Sequence, residues 1–291
     1  MKRIIGIIGG EGKMGRWLNA FFSGIGCSVL SADRKTALTP DDLARRCDVL
    51  VLSVPIDAAV QMARSIGPLL CSSQLLTDVC SLKHEIVAAM RKSTLAEVVG
   101  MHPLFGPGLE SVKGQNVVLC PVKSSDGFLW LKNVFETQGA MVTVTDPETH
   151  DRMMGIVQGL SHWITITIAE TVQKSVGSPN QLERFATPVF RLQLGLIGRL
   201  LHQDPALYEM LIARNPYVKE MVEAFQRTGA DVLKDFIDFE EGCQRLGRLK
   251  KFFGELLDPV TQRTDQFLDR SPVDDKGHEQ RSRSLEEAIR T

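Results

Sequence analysis

Residues 4–18 read IIGIIGGEGKMGRWL: a short apolar run, glycines at 10, 12 and 15, then a stretch able to form a helix. Strand, glycine turn and helix in G-x-G-x-x-G spacing form the setting of a dinucleotide-binding loop, and commit the start of the chain to a βαβ unit. Gly10 permits the tight turn out of the strand, Gly12 lets the backbone approach a pyrophosphate, and Gly15 lets helix and strand pack closely. Lys13 and Met14, between the second and third glycines, count with them as cofactor-binding residues, and the helix N-terminus receives the phosphate charge. A second apolar stretch, Cys27 to Ala32, ends at Asp33, about 20 residues further on, where a carboxylate would bind the adenosine ribose hydroxyls. Asp33 favours NAD because it repels a 2′-phosphate, whereas Arg34 and Lys35 could accommodate one. NAD is the expected cofactor and NADP stays open.

The same alternation continues along the chain. DVLVLSVP, Asp48 to Pro55, is continuously apolar, as suits a parallel strand covered on both faces, and places Ser53 and Pro55 at its C-terminal edge. In open α/β sheets that edge is where ligands bind, so both join the cofactor-binding set. A helical segment, Asp57 to Leu69, leads to LLTDVCSLK, with strand character to about Val79 and Ser81 just beyond. VVGMHPLFGP, NVVLCPV, a helix ending near Gly139, and MVTVT complete the pattern. Residues 1–145 are therefore expected to form a Rossmann-type doubly wound α/β sheet.

From Asp146 strand signals nearly vanish, and residues 146–257 read as an all-helical C-terminal domain. DPETH supplies a cap and first-turn acid for a long helix to about Lys174, with Met153, Ile156, Val157, Leu160, Ile164 and Ile168 as its apolar stripe. Further helices are expected over Gln181 to His202, Asp204 to Ala213, Tyr217 to Ile237 and Phe239 to Leu257. Residues 258–291 read as a polar, partly disordered tail with one helical turn at its end.

Composition narrows the function classes. The chain has 291 residues, 43% hydrophobic and 24% charged, which allows two domains with a real core. A net charge of −1 gives no general attraction to nucleic acid or an anionic membrane, so an anionic substrate must be gripped locally. The six cysteines have no CxxC spacing and read as reduced thiols of a cytoplasmic protein; no metal is expected. The opening MKRIIGIIGG is a first strand rather than a signal peptide, being short, broken by glycines and followed by Glu11 and Lys13. No uninterrupted apolar segment approaches the ~18 residues that span a bilayer.

A cofactor fold does not name a reaction, so the chemistry must come from polar groups at the sheet's C-terminal edge. Ser53, Ser81 and His102 converge there. His102, in GMHPLFGPG, follows a strand on a loop restrained by Pro103 and glycines, and an imidazole so held could take an alcohol proton near neutral pH as hydride departs. A turn or capping histidine is the competing reading, as a helix cap is for Ser81.

GGEGKMGR, VLSVPI, TDVCSLK, GMHPLFGP, THDRMMGIVQGLSHW and FATPVFRLQLGLIGRLLHQDPALY together resemble, in order from about residue 4 to about 257, the prephenate dehydrogenases of tyrosine biosynthesis. The resemblance implies that His102 is the catalytic base and that Ser81, in a serine-x-lysine motif, bonds the substrate hydroxyl and orients the cofactor. It implies that Arg199 binds a substrate carboxylate, a task suited to planar guanidinium. Arg191, eight residues earlier on a similar face, and His162, in GLSHW, join it as substrate-binding residues. Arg184 continues that face, a surface ion pair being its ordinary fate, and His150 has a family counterpart of less defined role. The implied reaction is oxidative decarboxylation of prephenate to 4-hydroxyphenylpyruvate with hydride transfer to NAD. The amphipathic stripes exceed the needs of one small bundle, so a homodimer through the helical domain is expected. With the sheet starting at residue 4, no chorismate mutase domain is expected ahead of it, and too little chain follows for an ACT domain, which puts tyrosine feedback in doubt.

Two other classes remain. Within enzymes, arogenate and 4-amino-4-deoxyprephenate dehydrogenases share ring and carboxylate, whereas β-hydroxyacid dehydrogenases need an N-x-x-K helix motif that the long helix lacks. Outside enzymes, a dinucleotide-sensing regulator would retain the cradle but need none of His102, Ser81 and Arg199.

Overall fold

A computed structural model describes residues 3–269 of the chain. The strands are β1 (Ile4–Ile8), β2 (Ser28–Ala32), β3 (Val49–Leu52), β4 (Leu75–Asp78), β5 (Glu97–Pro103), β6 (Asn116–Pro121) and β7 (Met141–Val144). Between them lie α1 (Lys13–Gly24), α2 (Pro40–Arg46), α3 (Ile56–Ile66), α4 (His84–Ser93) and α5 (Asp126–Thr137).

Period-two alternation inside the apolar strands builds the two faces of one sheet. Ile5, Ile7, Val49 and Val51 face a core closed by Leu18 and Phe22 of α1 and Phe128, Leu131 and Phe135 of α5. Ile8, Leu50, Leu52 and Leu76 face the other way, against Leu43 of α2, Ile56 and Ala63 of α3, and Ile86 and Met90 of α4. Strand order is β2-β1-β3-β4-β5-β6-β7, so the winding reverses between β1 and β3. The glycine turn after β1 and Ser53 after β3 thus meet at the switch point, where such sheets bind ligands.

The sheet is not wholly parallel. β6 runs antiparallel to β5 and parallel to β7. The ladder from β4 to β5 ends at Gly100, while antiparallel pairing with β6 carries β5 on to Pro103, opposing His102 to Val118. His102 is therefore in a strand, not on the expected loop, although it stands beyond the end of the parallel ladder. Sequence pattern marks apolar runs but not a strand that outlasts one neighbour by pairing with another.

The helices that follow are α6 (Pro147–Met154), a π-helical segment (Gly155–Leu160), α7 (Ser161–Ser175), α8 (Pro179–Phe185), α9 (Pro188–Leu201), α10 (Pro205–Ala213), α11 (Val218–Asp235), α12 (Phe239–Phe253) and α13 (Leu257–Asp269). The expected helix from 146 to 174 is interrupted because Gly155 and Gly159 admit the segment at 217–218. A Cβ at Gly159 would lie 2.1 Å from Val218 Cγ2, and one at Gly155 3.0 Å from Tyr217 Cβ. The expected helix from 181 to 202 is likewise two helices, divided where Thr187 caps α9 and Pro188 opens it.

Two compact units result: residues up to 163 with 204–221, and 164–203 with the described residues from 222 on. The first extends past 145, where the sheet signals stop, because α6 and the chain after α10 are tied into it: His150 and Asp151 are buried, and Asn215 donates to the Asp151 carbonyl at 2.8 Å. In the second unit, Arg245 of α12 donates to Asp235 of α11 at 2.6 Å. The polar tail expected from 258 begins instead as α13, with Asp258 in its first turn. Pro259 also falls in that turn, where it removes no helical hydrogen bond. The rest of that expected tail lies outside the described residues. No described helix is long and apolar enough to cross a membrane.

Candidate active site

The turn between β1 and α1 is built for close approach. Gly9 has φ +86°, and a Cβ there would lie 2.4 Å from the Ser53 carbonyl oxygen; a Cβ at Gly15 would lie 2.1 Å from the Gly9 carbonyl oxygen. A Cβ at Gly10 would meet the Ser31 side chain at 2.5 Å. Gly12 is the N-cap of α1 and no side chain caps the helix, so the amides of its first turn are open to an anion. At the end of β2, Asp33 folds onto this loop: its carboxylate accepts from Glu11 N at 3.1 Å and from Arg34 N at 2.7 Å. Lys13, Arg34 and Lys35 are exposed and Met14 is partly buried. Ser53 pairs with Ile8 through its amide at 2.8 Å, and Pro55 is the N-cap of α3. All the expected cofactor-binding residues thus gather at one edge, and the glycine cradle, open helix end and Asp33 carboxylate beside them fit a dinucleotide.

Further along the same edge, polar groups are buried in number. His102 is 4% exposed, its Nδ1 2.9 Å from His150 Nε2. His150 Nδ1 lies in turn 2.7 Å from Asp151 Oδ1. Asp151 reaches across from α6 to the start of α4, accepting from Lys83 N at 2.8 Å and His84 N at 2.9 Å. It is the cap that α4 lacks locally, so Ser81 is not the helix cap that its place in the sequence allowed. Ser81 is half-buried, three residues beyond β4.

Beneath His102 lies a wholly buried ion pair. Lys83 Nζ donates to Asp78 Oδ2 and, at 3.0 Å, to the Met101 carbonyl, both side chains having no exposed surface. Asp78 Oδ2 also accepts from Cys80 N at 2.8 Å, while Asp78 Oδ1 and Thr77 Oγ1 have no hydrogen-bond partner among the described residues. Burial, then the Lys83 ammonium, then His150 hold the His102 imidazole well below the usual histidine range, so it is a free base at neutral pH.

These features match those of one known group. A model of the prephenate dehydrogenase nucleotide-binding domain matches residues 32–144, and one of the prephenate dehydrogenase dimerization domain matches residues 146–252. The chain belongs to the prephenate dehydrogenase family. It is 30% identical over 240 residues to a probable arogenate/prephenate dehydrogenase of Methanocaldococcus jannaschii, covering 76% of this chain and 54% of that protein. The chain thus spans about half the length of that relative. It is 27% identical to the T-protein of Haemophilus influenzae, over 90% of this chain and 70% of the relative. In fold it resembles the Aquifex aeolicus prephenate dehydrogenase solved with hydroxyphenyl propionate and NAD+, with TM-score 0.71, 21% identity, and coverage of 86% of this chain and 96% of the other.

Within this family member, the expected substrate residues divide between the two units. His162 belongs to the first, its ring 5.1 Å from that of Tyr208 at 75°, with burial lowering its pKa. Arg191 and Arg199 lie exposed on α9, and Arg184 exposed on α8, all in the second. Sequence reasoning passed over Lys83, Asp78 and Asp151. The signal was present: the lysine of the serine-x-lysine motif itself, two residues after Ser81, and an aspartate closing a strand that is buried throughout.

Proposed function

We propose that this chain oxidatively decarboxylates prephenate to 4-hydroxyphenylpyruvate, using NAD, as a cytoplasmic homodimer. The observation that carries the reading is His102: a buried, uncharged imidazole held by one ring nitrogen, beyond the parallel ladder on the edge that bears the dinucleotide cradle. Bound NAD supplies a hydride acceptor. His102 Nε2 takes the proton of the ring hydroxyl as hydride leaves the same carbon, and Ser81 bonds that hydroxyl. Carbon dioxide departs from the ring carboxylate, its bonding pair completing the aromatic ring and leaving a phenolate oxygen that takes the proton back, so the protein needs chiefly to position the substrate and to hold one proton while hydride leaves. Arg199, with Arg191 and His162, binds the substrate, the guanidinium engaging a carboxylate. Asp33 favours NAD over NADP.

The deciding assay follows absorbance of the reduced nicotinamide, offering prephenate and arogenate with NAD and NADP in turn. Turnover of prephenate with NAD supports the reading, turnover of arogenate alone reassigns the substrate within the family, and turnover of neither leaves a dinucleotide-binding regulator. Arg199→Ala is expected to raise the prephenate KM about thirtyfold, or ~2 kcal/mol, at the low end for a truncated ion pair because Arg199 is exposed. An unchanged KM returns Arg199 to the surface.

For assembly, support comes from the match to a dimerization domain and from exposed Phe236, Ile237, Phe239 and Phe252 in the second unit. Light scattering at micromolar concentration is expected to give twice the 32.2 kDa chain mass, and a monomer would refute the homodimer.

A further inference from the structure

The contacts around His102 form a directed chain, and its direction follows from the one member that can only accept. Asp151 receives two backbone N–H groups at the N-terminus of α4, where the helix dipole favours an ionised carboxylate. A carboxylate cannot donate, so His150 Nδ1, 2.7 Å from it, carries a hydrogen. The proposed chain has a single N–H on His150, at Nδ1, which leaves its Nε2 as a lone pair. That lone pair lies 2.9 Å from His102 Nδ1, so His102 must hold its own hydrogen there. His102 Nε2 is then the bare, basic nitrogen.

Resting on the proposed role of His102 as base, we propose that His150, oriented by Asp151, is a positioning residue that fixes the His102 tautomer and takes up its Nδ1 proton during the reaction. The balance is simple. The substrate O–H bond breaks and His102 Nε2–H forms; His102 Nδ1–H breaks and His150 Nε2–H forms. At this stage His102 is neutral and the positive charge rests on His150, beside Asp151; once carbon dioxide has left, both transfers run backwards, returning the proton to the phenolate oxygen and both imidazoles to their starting forms. The surrounding charges favour that displacement. On the His102 side stands the Lys83 ammonium from the start of α4, itself paired with Asp78 of β4 and opposed to an imidazolium. Cys120 of β6 stays a neutral thiol, pushed up to about 12 by burial. On the His150 side the charged neighbour is the Asp151 carboxylate. Asn215 holds the Asp151 backbone from the other flank, so the acceptor end is fixed at both main chain and side chain.

The first test needs no turnover. In the full chain with NAD bound and histidines labelled with 15N, long-range nitrogen–proton correlation at pH 7.5 should show His102 with Nδ1 protonated and Nε2 bare, and His150 likewise; variants at 102 and 150 assign the signals. A protonated Nε2 on His102 overturns the proposal even if His102 proves essential. The second test is kinetic. His150→Leu should lower kcat about a hundredfold with little change in the KM for NAD, and His150→Gln, whose amide oxygen can accept from Nδ1–H, should recover part of the loss. Single-turnover rates across mixtures of light and heavy water should bow downward in the wild type, as for two protons in flight, and become linear in His150→Gln. A linear wild-type plot refutes the proton uptake. Full turnover by His102→Asn would instead remove the base on which the proposal rests, a failure separate from either result.

Discussion

His102→Asn is expected to lower kcat by about 10²–10⁴-fold while leaving NAD affinity unchanged. Asparagine is polar and smaller, so it fits the buried space without demanding new volume, but it has no lone pair basic enough to accept an alcohol proton. The glycine cradle and Asp33 are built from β1, α1 and β2, so NAD binding has no cause to change. Steady-state turnover with prephenate and a fluorescence titration of cofactor separate the two quantities, and near-normal kcat would take His102 out of the chemistry. The pH profile carries a signed companion result. A base must be unprotonated to act, and the His102 pKa is depressed by burial, Lys83 and His150. Wild-type kcat/KM should therefore show no acid limb from His102 at 6.5, but one at lower pH. The same depression acts on stability: as pH falls through the unfolded-state value the unfolded chain takes up a proton that the folded site refuses, so the His102 contribution turns against the fold on the acid side.

What could be read from the sequence was local. Alternation in β1 and β3 encodes two buried faces, glycine spacing encodes the turn, and Asp146 before Pro147 encodes the start of α6, where its carboxylate accepts from Glu148 N and Thr149 N. What could not be read depends on partners remote in the chain. Lys83 lies 18 residues before the Met101 carbonyl it serves, and Asp151 lies 68 residues beyond the Lys83 amide it caps. Lysine and aspartate ordinarily lie at the surface, so neither side chain by itself signals a buried contact with so distant a partner. The π-helical segment was hidden for a related reason: Gly155 and Gly159 register as weak helix formers, while their use is to admit Tyr217 and Val218. The family resemblance drew attention to His102 and Ser81, and physical neighbours explain why the His102 imidazole stays unprotonated.

Lys83→Met is expected to destabilise the fold by about 3–5 kcal/mol, the cost of leaving a buried carboxylate without its cation. Among the described residues Asp78 would keep only the Cys80 amide on Oδ2, with no partner on Oδ1, and the Met101 carbonyl would lose its ammonium donor. Methionine matches the lysine stem in length, so the loss reports charge rather than a cavity. Urea denaturation of both proteins measures it, and a difference under 1 kcal/mol would mean that the pair is not desolvated. The double variant Lys83→Met with Asp78→Asn discriminates further. It leaves no charge in the core, so most of the lost stability should return, since replacing both members of a buried pair costs far less than removing one. Activity should not follow stability back. The Lys83 cation is one of the groups that keep His102 unprotonated, and without it the imidazole binds a proton more readily, moving the acid limb of kcat/KM to higher pH. A stable double variant with a displaced acid limb would separate the two roles of Lys83: its pairing with Asp78 holds the end of β4 to the start of α4, while its charge, felt by His102 but not neutralised there, sets the protonation state on which the proposed chemistry depends.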